Sequence, residues 1–375
     1  MSRFRDICGE FFATLRRMDF LLFGATSALS LLSILTLIGG YSVFGLKVIL
    51  MQTGATVVGI VVMFFISVLD YRTIAEKLGI YLYGAGLLLL VATLLFGTSE
   101  GENKSWLYLP GLPFGIQPSE FVKSIFLLTF SYHIFRVKKK INRPLTLLGL
   151  MVHAALPTGL ILLSGDLGVA LVYVGIILLM LFYAGLSLWY FAGAAVLAAG
   201  ASPLIWQLLR EDQKLRILVG FNPDLDPLGK GYQPIISRAA VANGGFFGRG
   251  IFGGSMFQKL PAGHTDFLFG TYSEKFGFLG SLLFIGIMVF VVIRVTRLAR
   301  LTRGDSGTYI CAGFAAMLII QTVENVGMCL GMLPVVGITL PYFSYGGSSV
   351  LAIYITTGMV QSVAIHRNRL RPPLR

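Results

Sequence analysis

Long apolar runs separated by short polar breaks dominate this chain. They lie near residues 20–39, 48–68, 79–96, 119–135, 145–163, 168–184, 188–208, 273–293, 307–329 and 349–365. Most runs are about 18–22 residues long, which is the length that an α-helix needs to cross a bilayer, and the runs do not alternate as barrel strands do. The pattern predicts an all-α membrane protein, a polytopic bundle of about ten transmembrane helices in one domain over residues 1–375.

Composition supports a membrane location. Hydrophobic residues make up 55% of the chain and charged residues only 13%, whereas soluble domains carry roughly 25% charge. The apolar run from Phe20 follows Arg16 and Arg17 and is too long for the core of a cleavable signal peptide, so it is interpreted as a retained anchor. A soluble protein is therefore excluded.

The basic residues set the predicted orientation. The net charge is +13, and such an excess occurs both in nucleic-acid-binding proteins and in the cytoplasmic loops of membrane proteins. If the N-terminus is cytoplasmic, nineteen Lys and Arg residues fall in loops on that side, and the short loops opposite hold only Lys47 and Lys104. The positive-inside rule then places both termini in the cytoplasm of a multi-pass inner-membrane protein that does not bind nucleic acid.

One polar interruption is much longer than the others. Residues 209–272 separate the seventh and eighth predicted helices and contain Pro, Gly and Asp breaks with several charges. We expect a long extracytoplasmic loop of irregular structure, and a loop of this length is usually functional or disordered. Its aromatic residues and Gly-Gly turns argue against disorder.

Asp266 is the strongest candidate for chemistry. It lies in Leu260-Pro261-Ala262-Gly263-His264-Thr265-Asp266-Phe267, where the long loop meets the eighth helix. A carboxylate at a membrane entrance beside a histidine is suited to accept a proton from a hydroxyl nucleophile. The alternative is a helix N-cap, a position that Asp favours. Glu274 follows eight residues later, so both carboxylates are expected to face one cavity if the stretch is helical.

Other charged residues allow two interpretations each. Glu120 and Lys123 are three residues apart and share a helix face, either lining a polar cavity or forming a structural ion pair. For Asp166, before Leu167-Gly168, capping is the preferred interpretation, and Glu324 is a weaker functional candidate. The lone residues His133 and His153 are interpreted as packed, and the scattered His and Cys residues form no zinc motif.

Two segments have irregular backbone signals. Arg216, Arg238 and Arg249 occur among glycines of the long loop, a composition that suits phosphate oxygens or, alternatively, a plain solvated loop. Near the C-terminus, Gly331–Ser349 contains two Pro-centred breaks and a Gly-Gly-Ser-Ser sequence. Non-helical backbone at membrane depth is tolerated only where it is buried in protein or lines a wet cavity.

Several motifs occur together in a fixed order. They are Gln117-Pro118-Ser119-Glu120 with Lys123, Asp166-Leu167-Gly168, Asn222-Pro223 with Gly231-Tyr232-Gln233, Asn243-Gly244-Gly245, His264-Thr265-Asp266-Phe267, and Ser344-Tyr345-Gly346-Gly347-Ser348-Ser349. Over nearly its whole length the chain resembles the SEDS family (shape, elongation, division and sporulation).

The resemblance implies a peptidoglycan glycosyltransferase that polymerises lipid II at the outer face of the cytoplasmic membrane, with Asp266 as the catalytic base. Implied partners are a class B penicillin-binding protein and other elongation-complex membrane proteins, and a divalent cation, Mg²⁺ or Mn²⁺, is implied without identified ligands. The candidate substrate-binding and cavity residues are Glu120, Lys123, Arg216, Ser237, Arg238, His264, Thr265, Glu274, Ser344 and Ser348.

Alternatives remain within and beyond this family. The same cavity would serve a lipid II flippase, or the chain would act as a scaffold without catalysis. Short cytoplasmic tails favour elongation over a division or sporulation role. The chain departs from the family pattern at Ser164-Gly165, at Ile236 and at Lys275, and Lys275 reverses a charge near the expected site.

Overall fold

The computed structural model describes residues 14–100, 103–108, 115–209, 211–302 and 304–367, and within them the protein is almost entirely helical. The α-helices are α1 (Phe20–Gly39), α2 (Tyr41–Val68), α3 (Tyr71–Lys77), α4 (Gly79–Phe96), α5 (Pro118–Val137), α6 (Pro144–Leu163), α7 (Leu167–Tyr183), α8 (Leu188–Leu208), α9 (Glu211–Phe221), α10 (Tyr232–Gly244), α11 (Leu268–Leu301), α12 (Ser306–Cys329) and α13 (Gly347–His366).

Every apolar run identified in the sequence forms a helix. Of the helices described, seven are long and apolar enough to cross a membrane, namely α1, α2, α4, α6, α11, α12 and α13. Helix α7 and the apolar part of α8 are shorter, and α5 is a 20-residue helix whose buried face carries Ser, Thr, Glu and Lys side chains. The prediction of a helical membrane bundle is confirmed, while the number of ten crossings stays a prediction.

The prediction of an irregular 209–272 loop is wrong in part. This segment contains α9 and α10, with short 3₁₀ turns at Pro223–Leu225 and Phe257–Lys259. Its Gly and Pro residues end helices without preventing them, since Pro223 follows α9 and Gly245 adopts a positive φ of 58° at the end of α10. The next membrane helix also begins at Leu268, five residues before the predicted 273.

A short antiparallel hairpin precedes α5. Its strands are β1 (Thr98–Glu100) and β2 (Asn103–Trp106). The backbone N–H of Lys104 donates to the carbonyl of Ser164 at 3.0 Å, so the hairpin packs beside the turn between α6 and α7. Both this hairpin and the 209–272 segment lie at the end of the bundle that we call the loop side.

Helix α13 forms the centre of the bundle, because it is buried along nearly its whole length. It packs closely against α2 at two glycines. A β-carbon at Gly59 would come within 2.8 Å of the Tyr354 ring, and one at Gly358 would come within 2.9 Å of the Met63 carbonyl and Ile66. Small residues let helix backbones approach closely in membranes. The central helix therefore fixes the segment before it, residues 331–346, against the loop side.

Candidate functional site

Asp266 lies in a tight turn that joins the 209–272 segment to α11. The N–H of Phe267 donates to the Ala262 carbonyl at 3.0 Å, and the N–H of Tyr345 donates to the His264 carbonyl at 3.1 Å. The N-cap of α11 is Phe267, and no side chain forms a cap hydrogen bond there. The N-cap interpretation of Asp266 is therefore wrong, and its carboxylate is not used to begin the helix.

The carboxylate of Asp266 is half-buried and has no hydrogen-bond donor among the described residues. It lies beside Gly337, where a β-carbon would stand 3.8 Å from Oδ2. Burial raises its pKa to about 6, and the negative charge of Asp166 adds to the effect. A carboxyl group in such surroundings is suited to exchange a proton near neutral pH.

We call residues 331–346 the crossing segment, because this non-helical stretch runs over the loop side between α12 and α13. The Val336 carbonyl lies against the start of α7, where a β-carbon on Gly168 would be only 2.1 Å away. Asn325 donates from Nδ2 both to the Ile338 carbonyl and to the Asp266 carbonyl, each at 2.8 Å. One buried amide therefore holds the Asp266 turn and the crossing segment together.

The backbone of the crossing segment is strained at Tyr342. Its φ is 63°, a left-handed value that non-glycine residues rarely adopt. Its side chain is buried and its hydroxyl pairs with Thr357 at 2.7 Å, while its carbonyl accepts a bond from Ser30 at 3.2 Å. Surrounding contacts fix this conformation, and such strain is common at functional sites. The expected non-helical backbone buried in protein is confirmed here.

Asp166 is a capping residue that also faces Asp266. Its Oδ1 accepts from the Val169 N–H at 3.0 Å and so caps α7, and its Oδ2 accepts from Gln117 Nε2 at 3.1 Å. The Gln117 N–H in turn donates to Ser348 Oγ at 3.1 Å. Burial raises the pKa of Asp166. Ser348 thus belongs to the site indirectly, through Gln117.

Glu120 and Lys123 form a buried ion pair on α5. Lys123 Nζ and Glu120 Oε1 are 2.7 Å apart, and the residues are 2% and 6% exposed. The cavity beside them, lined also by Gln321 and Leu340, measures about 10 Å³, which is room for about one water molecule. Both sequence interpretations hold in part, because the pair is structural and lies directly beneath the crossing segment.

Glu274 does not resemble Asp266 in its surroundings. Its Oε1 accepts from Asn243 Nδ2 at 2.6 Å and from the N–H groups of Ser255 and Met256, each at 2.9 Å, and Oε2 accepts from the Phe257 N–H at 2.8 Å. Both oxygens are therefore engaged in fixing residues 243–257. The expectation that both carboxylates face one cavity is not met, because α11 turns Glu274 towards that stretch.

The side chain of Lys275 is also held by contacts within the protein. Its Nζ donates to the Gly39 carbonyl at 3.0 Å and lies 3.8 Å from the centre of the Phe257 ring. The departure from the family pattern at this position therefore ties the end of α1 to the 243–257 stretch.

The remaining candidates divide into those near Asp266 and those elsewhere. The His264 ring lies between Phe44 and Tyr345, and burial lowers the pKa of this histidine. Thr265 Oγ donates to the Ala262 carbonyl at 3.3 Å. Both flank the catalytic candidate within the same turn.

Ser344, Ser237 and the two arginines have other surroundings. Ser344 Oγ accepts from the Leu340 N–H at 2.9 Å inside the crossing segment, and Ser237 Oγ donates to the Cys329 carbonyl at 2.9 Å. Arg238 lies 4.0 Å from Asp224, and both are exposed. Arg216 lies on α9, half-buried. The structure does not bring these two arginines into hydrogen-bonding contact with Asp266.

Sequence reasoning missed Gln117 and Asn325. Each amide joins two segments that are far apart in the chain, and only the fold shows this. A signal existed for Asn325, because a carboxamide in the middle of an apolar run must find partners when it is buried. His133 and His153 were treated as lone residues, but they pair with each other at 3.1 Å.

The described residues contain no cluster of three or more His, Cys, Asp or Glu side chains arranged to hold a metal ion. Asp266 and Asp166 are nevertheless two neighbouring carboxylates, one of them without a donor. Magnesium is commonly bound by one or two carboxylates together with substrate phosphates. The donor set therefore fits a cation that arrives with a phosphate-bearing substrate.

Comparisons with known proteins give a consistent family. The family model described as cell cycle protein, covering FtsW, RodA and SpoVE, matches residues 16–369. The peptidoglycan glycosyltransferase MrdB of Escherichia coli is 33% identical over 323 residues, which cover 85% of this chain and 86% of that protein. Stage V sporulation protein E of Bacillus subtilis is 33% identical over 318 residues, covering 82% and 84%.

Solved structures agree with the sequence relatives. A structure described as the structural coordination of polymerization and crosslinking by a peptidoglycan synthase complex has a TM-score of 0.82 and 30% identity, covering 95% of this chain and 99% of that one. The rod shape determining protein RodA of Thermus thermophilus has a TM-score of 0.71 and 27% identity, covering 93% and 97%. This chain is therefore a multi-pass inner-membrane protein that belongs to the FtsW, RodA and SpoVE family, also called SEDS.

Proposed function

We propose that this protein is a peptidoglycan glycosyltransferase of the elongation type, which polymerises lipid II at the outer face of the inner membrane. In this proposal both termini are cytoplasmic and the loop side faces outwards. The family and the names of its relatives support the reaction class. The arrangement of basic residues along the chain supports the orientation.

The observation that carries the proposal is that the carboxylate of Asp266 accepts no hydrogen bond from the described residues. Its raised pKa of about 6 and the absence of a donor among the described residues leave it available to a substrate hydroxyl. Because the Asn325 amide holds its backbone, the carboxylate is positioned before substrate binds. A general base needs both a fixed position and a pKa near the working pH.

The proposed reaction is a displacement at an anomeric carbon. Asp266 takes the proton from the 4-hydroxyl of the acceptor's GlcNAc, and that oxygen forms a bond to C1 of the donor's MurNAc with inversion. The bond from C1 to the pyrophosphate oxygen breaks, and undecaprenyl pyrophosphate leaves with the electron pair. Arg216 and Arg238 are the basic residues of the 209–272 segment that we assign to the pyrophosphate.

A divalent cation fits this scheme if the substrate supplies some of its ligands. Asp166 would hold it together with pyrophosphate oxygens, which leaves the Asp266 carboxylate free to act as the base. When bound, it would neutralise negative charge on the leaving group.

A partner transpeptidase is the second part of the proposal. The relative with the 0.82 TM-score belongs to a synthase complex that coordinates polymerization and crosslinking. We propose that this chain likewise works with a class B penicillin-binding protein.

The test is lipid II polymerisation by the purified protein, alone and with its partner, comparing wild type with Asp266→Asn. Glycan ladders from wild type that vanish in a folded variant support both enzyme and base. Ladders that persist in the variant would retain the enzyme and remove Asp266 as its base. Lipid II translocation in vesicles without any polymer, even with partner and cation, would instead indicate a flippase.

A further inference from the structure

A second polar pocket opens at the end of the bundle opposite the loop side. Its volume is about 490 Å³, and it is lined by Tyr183, Arg300, Gly304, Thr308 and Tyr309. Helices α7 and α11 end here and α12 begins here, so the helix dipoles supply no positive charge to the pocket. The side chains therefore decide which charge the pocket attracts.

Arg300 gives the pocket a positive charge. Its side chain is exposed, and no acid pairs with it in the described part of the chain. Asp305, the nearest acid along the chain, is already engaged. Its Oδ2 accepts from the Tyr71 hydroxyl at 2.6 Å and pairs with Arg72 at 2.5 Å, while Oδ1 accepts from the Ser306 N–H at 2.6 Å. The pocket therefore keeps its cation without a neutralising carboxylate.

A second cation reaches the rim of the pocket from α5. Lys138 Nζ donates to the Gly304 carbonyl at 3.2 Å, which brings the ammonium group beside a lining residue. The exposed Lys139 and Lys140 follow it. Cations gathered around a concave surface attract anions more strongly than isolated surface charges do.

Two hydroxyl groups complete the donor set. Tyr309 is only 8% exposed, and neither its hydroxyl nor that of Tyr183 bonds to another described residue. Tyr183 is 38% exposed, and both residues line the pocket, where their hydroxyls can donate to water or to a ligand. Two such hydroxyls beside a guanidinium form a set of donors that suits the oxygens of a phosphate group.

The position of the pocket favours a lipid over a soluble ion. Phe182 and Leu301, the neighbours in sequence of Tyr183 and Arg300, are 58% and 54% exposed on the outside of the bundle. In a membrane span such side chains face lipid. A phosphate bound in the pocket would therefore have apolar surface directly beside it for acyl chains, and basic pockets between transmembrane helices are known to bind acidic head groups.

We propose that this pocket binds the phosphate group of an anionic membrane lipid, separately from the Asp266 site. Arg300 and the hydroxyls of Tyr183 and Tyr309 contact the phosphate, Lys138 adds charge at the rim, and the acyl chains lie along Phe182 and Leu301. With the basic end in the cytoplasm, the ligand belongs to the inner leaflet.

Native mass spectrometry of the delipidated full-length protein, titrated with phosphatidylglycerol, tests the proposal. Phosphatidylcholine is the zwitterionic comparison, and inorganic phosphate is added as a competitor. We expect Arg300→Gln to weaken phosphatidylglycerol binding about fivefold, the effect of about 1 kcal/mol for one basic residue. The matched control is Arg297→Gln, which removes an exposed charge one helical turn earlier that does not line the pocket.

The outcomes separate the possible ligands. Preference for phosphatidylglycerol that falls in Arg300→Gln and persists in Arg297→Gln supports the pocket. An equal loss of phosphatidylglycerol binding in both variants would overturn the proposed pocket and indicate diffuse surface charge instead. Displacement of the lipid by millimolar phosphate would indicate that the pocket binds a free anion and not a lipid. If Arg300→Gln fails to fold, the Tyr309→Phe variant provides the test, because it removes one hydrogen-bond donor from the pocket. Unchanged phosphatidylglycerol binding in that variant would reject the assignment.

Discussion

Two carboxylates that lie eight residues apart belong to regions of opposite character. The carboxylate of Glu274 accepts four hydrogen bonds from residues 243–257 and holds that stretch in place. The carboxylate of Asp266 accepts none from the described residues and lies beside the crossing segment. The former arrangement stabilises a fold and the latter leaves a carboxylate free to react. The number of donors at each carboxylate separates a structural acid from a candidate base.

The largest expected difference is between two neutralising substitutions. Asp266→Asn should lower polymerisation by about a hundredfold or more, since a general base contributes roughly 10²–10⁴-fold. It should not lower thermal stability at neutral pH, because the raised pKa of Asp266 means that the folded state disfavours its negative charge. Glu274→Gln should lower the free energy of unfolding by about 1–3 kcal/mol, because buried N–H donors lose a charged acceptor. Polymerisation assays and thermal unfolding, measured on both variants, test this difference.

Exchanged effects in these two variants would contradict the contrast between Asp266 and Glu274. A stable Glu274→Gln protein without activity would place this acid in the chemistry. Hydrogen exchange supplies a local control, since only Glu274→Gln should expose the backbone amides of residues 255–257 to solvent.

A smaller effect is expected at Asn325, which connects Asp266 to the crossing segment. Asn325→Ala removes both bonds from Nδ2 and releases the backbone of the proposed base. We expect kcat to fall about tenfold with little change in KM, because a positioned group contributes mainly in the transition state. Thr322→Ala on the same helix is the control. An unchanged kcat would show that the turn holds Asp266 without this amide.

The smallest effect concerns pH. Because the pKa of Asp266 is raised to about 6, the group is a base only above that value, and activity should fall as pH decreases through about 6. The folded state binds this proton more tightly than the unfolded chain does, so Asp266 contributes to stability increasingly as pH falls from about 6 towards the ordinary value of 3.8.

Asp166→Asn sharpens this prediction. Removing a neighbouring negative charge lowers the pKa of Asp266, so the acidic limb of the pH–rate profile should move to lower pH. Asn also caps helices well, and α7 should remain intact. If the acidic limb of the profile stayed at the same pH in this variant, a group other than Asp266 would be titrating.

The membrane bundle could be predicted from the amino-acid sequence, because runs of apolar residues of spanning length have few folded alternatives in lipid. The sequence also predicted the Glu120–Lys123 pair and the non-helical stretch before α13, and local signals sufficed for these two features, since helix spacing, Pro and Gly act over a few residues. Asp266 was a candidate from its position, and its role as the base stays a prediction that the family resemblance implies.

The hydrogen-bond partners of each carboxylate are visible only in the folded protein. The four donors of Glu274 come from residues 17 to 31 positions earlier in the chain, and the Asn325 amide holds a turn 59 residues away. Part of the 209–272 segment forms helices, Glu211–Phe221 and Tyr232–Gly244, where an irregular loop was expected. Hydrogen-bond partners are chosen when distant segments pack together, and no pattern along the chain records that choice.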